Sequence, residues 1–193
     1  MNRIFYKHYI FLDFLNDLIK ENLTQLKNIN IIINIHQNDK KNLENELSII
    51  QFVRKYKIPF FFKNDYQKCI KYNSNGIFID SANKKIIKPV LLKKKFEIIG
   101  SVHNQLEYEQ KLKQKCTLLM LSPLFYNEKY SENKILNILK FNNKKLNWKV
   151  DICALGGVNL RTIKKIKLLN IMSIGSRKFI LNPRIKKPAY NLM

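Results

Sequence analysis

Short apolar runs rich in β-branched and aromatic residues recur along the chain, at His8–Leu12, Asn30–Ile35, Ile58–Phe62, Gly76–Ile79, Glu97–Val102, Thr117–Leu121, Val150–Leu155 and Ile171–Ile174. They predict eight strands. Several are apolar at consecutive positions, as in Ile31-Ile32-Ile33, Phe60-Phe61-Phe62 and Leu118-Leu119-Met120-Leu121. Continuous rather than alternating apolarity suits strands covered on both faces, as in a parallel sheet.

Segments of helical spacing lie between these runs. Leu43, Leu47, Ile50 and Val53 fall on one face, with Lys41, Glu44, Gln51 and Arg54 around the other. After Val102, Asn104 is the expected helix cap with Glu107 three residues on, as in a capping box, followed by Leu106 and Leu112 among charges. After Leu155, Asn159 is the expected cap, and Leu160, Ile163, Ile166 and Leu169 form the inner side of the next helix. The stretch Asp65–Tyr72 leaves room for roughly two turns. Strand and helix alternate every 20 to 30 residues or so, as right-handed βα units demand. Eight units predict a compact (β/α)8 TIM barrel, one domain over residues 1–193, just under the roughly 200-residue lower end of that fold. An open doubly wound sheet is the alternative, but no glycine-rich turn follows the first strand to support it.

Composition narrows the classes further. No apolar run approaches the roughly 18 residues of a membrane span, and mean hydropathy is −0.28. The first twelve residues are basic and then apolar, but Asp13 and Asp17 follow and no small-x-small site appears, so no secretory signal is expected. Cys69, Cys116 and Cys153 are odd in number, far apart and never in a C-x-x-C pair. That pattern predicts reduced thiols in a cytoplasmic protein, not disulfides or structural zinc. The net charge of +22 raises the possibility of a nucleic-acid partner. Yet lysine, isoleucine and asparagine, which share A- and U-rich codons, make up 82 of 193 residues. The lysine runs Lys84-Lys85, Lys93-Lys94-Lys95, Lys144-Lys145 and Lys164-Lys165 are scattered and not interleaved with the aromatics that stacking on bases would need. Lysine is therefore read as solvated surface, with a basic nucleic-acid-binding protein kept as a further alternative.

In a βα barrel, ligands meet the C-terminal ends of the strands. Polar residues at four of these ends carry candidate chemistry: Lys63-Asn64-Asp65, Ser101-Val102-His103-Asn104, Ser122-Pro123 and Gly156-Gly157-Val158-Asn159. Gly156 and Gly157 before a helix cap would leave backbone N–H groups to cradle a phosphate, or would serve a tight turn at positive φ. Gly175-Ser176, placed after the eighth strand, would sit beside that turn. His103 is either an acid–base group or a loop-orienting one. Asp65 either helps hold a magnesium ion or caps the short helix after it.

The order of these pieces resembles the thiamine-phosphate synthase and TenI family. That family shows a P-x-x-I-N-D strand end, a G-V-H-L-G run, an S-V-H element, a G-P-I-F run and an A-I-G-G-I turn. Here they correspond to Pro59–Asp65, Gly76–Ile79, Ser101-Val102-His103, Ser122–Phe125 and Ala154–Val158, over roughly residues 30–177. The resemblance implies a (β/α)8 barrel that joins a pyrimidine methyl diphosphate to a thiazole phosphate, releasing pyrophosphate with the help of Mg2+. The C–O bond largely breaks before the thiazole nitrogen attacks. By position it implies Asn64 on the pyrophosphate, Asp65 on magnesium, and Ser101 beside the pyrimidine and pyrophosphate. Gly156, Gly157, Gly175 and Ser176 fall in the thiazole-phosphate cradle. The expected partners are phosphorylated thiazole and pyrimidine diphosphate, with no membrane; a homo-oligomer is left open.

Three motifs differ. The family's Q-x-R-x-K strand reads Ile33-Asn34-Ile35-His36-Gln37-Asn38, its second magnesium carboxylate falls near Asn83, and its T-x-T-K loop reads Asn127-Glu128-Lys129-Tyr130. A transferase of thiamine-phosphate synthase type would recruit Lys63 or Lys129 to the diphosphate. The alternative is a TenI-like thiazole tautomerase, with His103 or His36 as the acid–base group, or a non-catalytic relative that binds thiazole or thiamine phosphate.

Overall fold

The computed structural model describes residues 6–35, 39–86, 96–126 and 131–182. Eight parallel strands close in sequence order into a barrel. They are β1 (Lys7–Leu12), β2 (Ile29–Ile33), β3 (Phe60–Lys63), β4 (Gly76–Ile79), β5 (Glu97–Val102), β6 (Leu118–Leu121), β7 (Asp151–Leu155) and β8 (Ser173–Ser176). Closure is made by β8 on β1, with Tyr9 opposite Gly175 and Ile10 opposite Ser176. Outside run α1 (Asp17–Gln25), α2 (Lys40–Lys55), α3 (Tyr66–Lys71), α4 (Gln105–Lys113), α5 (Asn137–Asn147) and α6 (Ile163–Ile166). The (β/α)8 barrel expected from the alternation is thus the fold. No helix among the described residues is long and apolar enough to cross a membrane.

Two apolar layers explain the unbroken hydrophobic strands. Tyr9, Ile32, Phe61, Phe78, Ile99, Met120 and Cys153 pack against one another and fill the lumen. Their strand neighbours, such as Ile10, Ile31, Phe62, Ile77 and Ile174, pack outward against helix residues such as Leu23, Ile49, Phe141 and Ile166. The central strand positions are therefore covered on both faces, as period-2 alternation in a two-sided core requires, and exposure is confined to strand ends such as Asp151.

Strand bounds match expectation closely for β4 and β5, and least well for β8. Gly175 and Ser176 lie within β8 and not after it; barrel closure on β1 gives this small, polar stretch of backbone its ladder. The inner stripe of α2 is Glu46, Ile49, Ile50 and Val53, while Leu43 and Leu47 are 49% and 40% exposed. Glu46 fits that stripe because Lys68 of α3 pairs with it at 2.6 Å. On α4, Leu106 is 78% exposed, and Tyr108 and Lys111 are the buried residues. The helix expected after Leu155 is only α6: Asn159 accepts from Arg161 and Thr162 N–H instead, in a turn that precedes it.

Helices α2, α3 and α4 end the same way. Lys57, Asn73 and Lys115 take left-handed φ of 53°, 56° and 58°, and the residue after each donates back to the carbonyl five positions earlier: Ile58 to Val53, Ser74 to Cys69 and Cys116 to Lys111. This is a Schellman close, for which glycine is the usual residue. At Lys115 the side chain makes the conformation costly, so Lys115→Gly should raise stability by about 0.5–1 kcal/mol, the relief of Cβ strain outweighing the added entropy of the unfolded chain. Chemical denaturation checks this; an unchanged or lower midpoint at constant slope would show that the Lys115 side chain contributes packing that offsets the strain.

Candidate functional site

The C-terminal strand ends form a mouth with three polar groupings. The first joins β3 and β4. Asn64, at φ 56° just past β3, donates from its amide to Asp80 Oδ2 at 2.7 Å and accepts from Asp80 N–H at 3.0 Å. Asn83 N–H bonds Asp80 Oδ1 at 3.0 Å, and its amide reaches Asn64 Oδ1 at 3.1 Å. Lys63 Nζ lies 3.7 Å from Asp80 Oδ2. The loop is anchored from below by Lys111, which is fully buried and donates to the carbonyls of Asp80 and Asn83 and to Gln114 Oε1 at 2.6, 2.8 and 2.8 Å. Burial pushes its pKa down, with Cys116, Asp80 and Glu107 acting the other way.

The second grouping ends β5. Ser101 is buried two residues beyond lumen-facing Ile99, on the same face. His103 Nδ1 lies 2.8 Å from Glu107 Oε2, which also accepts His103 N–H at 2.7 Å. Asn104 caps α4 through Glu107 N–H as expected, but the reciprocal arm of the capping box goes to His103. That bond favours the tautomer with the proton on Nδ1 and so makes Nε2 the basic atom. The third grouping joins β8, β1 and β2: Asp13 accepts from Asn34 at 2.5 Å and from both Nε, at 3.0 Å, and Nη2 of Arg177.

The remaining candidates divide. Asp65 accepts Lys68 N–H at 2.9 Å and caps α3. Gly156 and Gly157 have φ of +92° and +70°. A Cβ on Gly157 would meet the carbonyl oxygens of Phe125 and Tyr126 at 2.5 and 2.6 Å. Glycine is thus required by the close approach of the chain after β6, whether or not a phosphate binds. Gly175 lies within β8, where a Cβ would meet Leu155 at 2.9 Å. The Ser176 hydroxyl is not at the mouth: it bonds His8 Nε2 at 2.8 Å in the outer layer, and the His8 ring packs edge-on against Phe179 at 5.0 Å. Lys129 and His36 lie outside the described residues. Asp13, Asp80 and Arg177 were not singled out from sequence, although each directly follows a strand. A cleft of about 610 Å³ opens at the opposite, N-terminal end, lined among others by Lys7, Asn30, Tyr56 and Lys57; it holds none of the candidate residues.

Charged and amide side chains thus collect at the strand C-termini of a closed, eight-stranded parallel βα barrel, the face at which ligands meet barrels of this fold. Its family follows from comparison: the model described as thiamine monophosphate synthase, TMP-TENI, matches residues 12–177, and the chain belongs to that family. Among solved structures, a thiamine phosphate pyrophosphorylase from Pyrococcus furiosus superposes with TM-score 0.76 at 16% identity, over 98% of this chain and 95% of that one. KGPDC from Streptococcus mutans gives 0.61 at 12%, over 96% and 92%. A thiamine phosphate pyrophosphorylase from Bacteroides thetaiotaomicron gives 0.59 at 13%, over 90% and 83%. No curated protein matches significantly. Family and fold together support a role related to thiamine biosynthesis.

The donor set at the mouth does not fit the resident magnesium that the resemblance implies. Magnesium binds through one or two carboxylates whose charge it neutralises. Asp65 gives Oδ1 to a helix cap and has only Oδ2 to offer, while Asp80 is bonded at both oxygens with an ammonium beside it, so no pair of carboxylates is left for the ion. Among the described residues no group of three or more His, Cys, Asp or Glu side chains could hold a metal.

Proposed function

We propose that this barrel is a transferase joining a pyrimidine methyl diphosphate to a thiazole phosphate, with release of pyrophosphate. One observation carries the reading: the family match runs from Leu12 to Arg177, so all three polar groupings of the mouth lie at or within its bounds. The residues divide the work of a dissociative transfer. Lys63 and Asn64 face the leaving pyrophosphate. Ser101 lies on the pyrimidine side. Lumen aromatics, including the edge-to-face pair Phe11–Phe78 at 5.1 Å, offer π-faces and exclude water around a cationic pyrimidine. Gly156 and Gly157, with Arg177 nearby at the end of β8, form the thiazole-phosphate side. A cytoplasmic location suits the three free, buried cysteines, whose thiols burial pushes up to about 11 at Cys69 and about 12 at Cys116 and Cys153.

A second reading, a TenI-like thiazole tautomerase, is favoured by the His103–Glu107 bond, which presents an oriented imidazole. One assay separates the two. Purified protein is mixed with both substrates, with and without Mg2+, and thiamine phosphate and pyrophosphate are followed. Product supports the transferase. Its absence, together with interconversion of thiazole tautomers that His103→Gln abolishes, supports the tautomerase. Nucleic-acid binding should be weak and nonspecific, with dissociation constants above about 1 µM at physiological salt, because scattered lysines give a diffuse field. A tight complex with one defined sequence under those conditions would overturn that expectation.

A further inference from the structure

Two departures from the family pattern meet at the mouth. Where the family strand ends read I-N-D and G-V-H-L-G, this chain has Lys63-Asn64-Asp65 and Gly76-Ile77-Phe78-Ile79-Asp80. An ammonium thus stands in place of an apolar side chain, and a carboxylate in place of a glycine. The two lie on adjacent strands, 3.7 Å apart, with side chains 19% and 30% exposed. That separation is a charge contact, too long for a hydrogen bond. Asp80 cannot swing away to serve another cation without breaking two carboxylate bonds, Oδ2 to the Asn64 amide and Oδ1 to Asn83 N–H, while its backbone N–H is held by Asn64 Oδ1. Its backbone is fixed in turn by buried Lys111. The carboxylate is therefore built to hold Lys63 at one place on the rim, and the nearby Asp65 has one of its two oxygens in the cap of α3.

We propose that Lys63, held by Asp80, takes the place of the divalent metal at the β3–β4 corner, so that this chain grips the diphosphate end of its ligand through a fixed side-chain cation. This rests on the reading that the mouth takes a phosphorylated ligand. Lysine is an established phosphate-binding point charge, and its charge-assisted bonds to phosphate oxygens are among the strong ones. Metal ligation and lysine positioning make opposite demands on Asp80. A metal ligand loses affinity when its carboxylate becomes an amide. A carboxylate that only positions and partly neutralises a lysine releases that charge to the phosphate.

The test is calorimetric titration of pyrophosphate into the full chain, in excess EDTA and in millimolar Mg2+, with thiazole phosphate titrated separately. Binding is expected in EDTA, with magnesium changing the dissociation constant less than about threefold. Lys63→Met should weaken binding at least about tenfold and Lys63→Arg should keep it, while Asp80→Asn should leave it equal or tighten it about twofold to fivefold. Thermal unfolding of each variant confirms that the barrel is intact, and the arginine variant reads the charge if the methionine variant fails to fold. Pyrophosphate binding that requires Mg2+ and is lost in Asp80→Asn overturns the proposal. So does unchanged binding in Lys63→Met. If thiazole phosphate binds and pyrophosphate does not bind in either condition, this inference falls and the functional reading stands; if neither ligand binds, both fall.

Discussion

Between pH 6.5 and about 4 the barrel should lose about 3 kcal/mol of stability through one residue, His8, whose burial pushes its pKa down from 6.5 to about 4. The ring is enclosed in the outer layer between Ser176 and Phe179 and stays neutral there. Above pH 6.5 neither the folded nor the unfolded state protonates it, and its contribution is fully present. As pH falls below 6.5 the unfolded chain takes up a proton that the folded state refuses, so stability declines until the folded pKa is reached and is flat below it. Carboxylates add their own acid losses, so the measurement is a difference. Urea unfolding of wild type and His8→Asn from pH 7 to pH 4 should show the wild type losing about 3 kcal/mol more than the variant. Parallel pH profiles would mean that the ring protonates in place.

The second large effect is at Lys111. Its aliphatic stem is buried, and its three ammonium hydrogens meet three oxygens at 2.6–2.8 Å, which satisfies the charge without a carboxylate contact. Lys111→Met keeps the stem volume and removes all three donors, taking from Gln114 Oε1 the ammonium it accepts from and leaving the carbonyls of Asp80 and Asn83 with only the Asn83 N–H and the Gln114 amide. The expected cost is about 3 kcal/mol in denaturant unfolding. Gln114 donates to Asn83 and Lys85 carbonyls in the same cluster, so Gln114→Leu added to Lys111→Met should cost less than the sum of the two singles. A Lys111→Met midpoint within about 1 kcal/mol of wild type would show that water replaces the ammonium.

Much of the barrel was legible from Ile31-Ile32-Ile33, Phe60-Phe61-Phe62 and their counterparts, because two-sided burial leaves an unbroken apolar trace. What hid was mostly polar and long-range. Gly175-Ser176 fell beyond the expected end of the eighth strand because local propensity says nothing of a ladder completed by β1, more than 160 residues away. Asp80 hid because motif matching pointed three residues on, to Asn83, although a carboxylate directly after Ile79 is itself a strand-end signal. Lys111 hid because a lysine among charges on a helix reads as solvated; only the β4 loop, some 30 positions away, supplies the carbonyls that bury it. Ser176 was legible as a residue type but not as a direction, since one step along a strand exchanges lumen for outer layer.

The left-handed helix ends at Lys57, Asn73 and Lys115 bear on how such a chain came to look as it does. Their codons are A- and U-rich and glycine's are G-rich, and the whole chain has five glycines against 31 lysines. Mutational drift toward A and U would replace a cap glycine wherever the loss, about 1 kcal/mol or less per site, stays above the threshold for folding. Gly157 is a different case: a side chain there would strike backbone, not merely strain its own φ. Under such a drift Gly157 stands at a steric wall, whereas the helix ends closed by Lys57, Asn73 and Lys115 stand only on a slope.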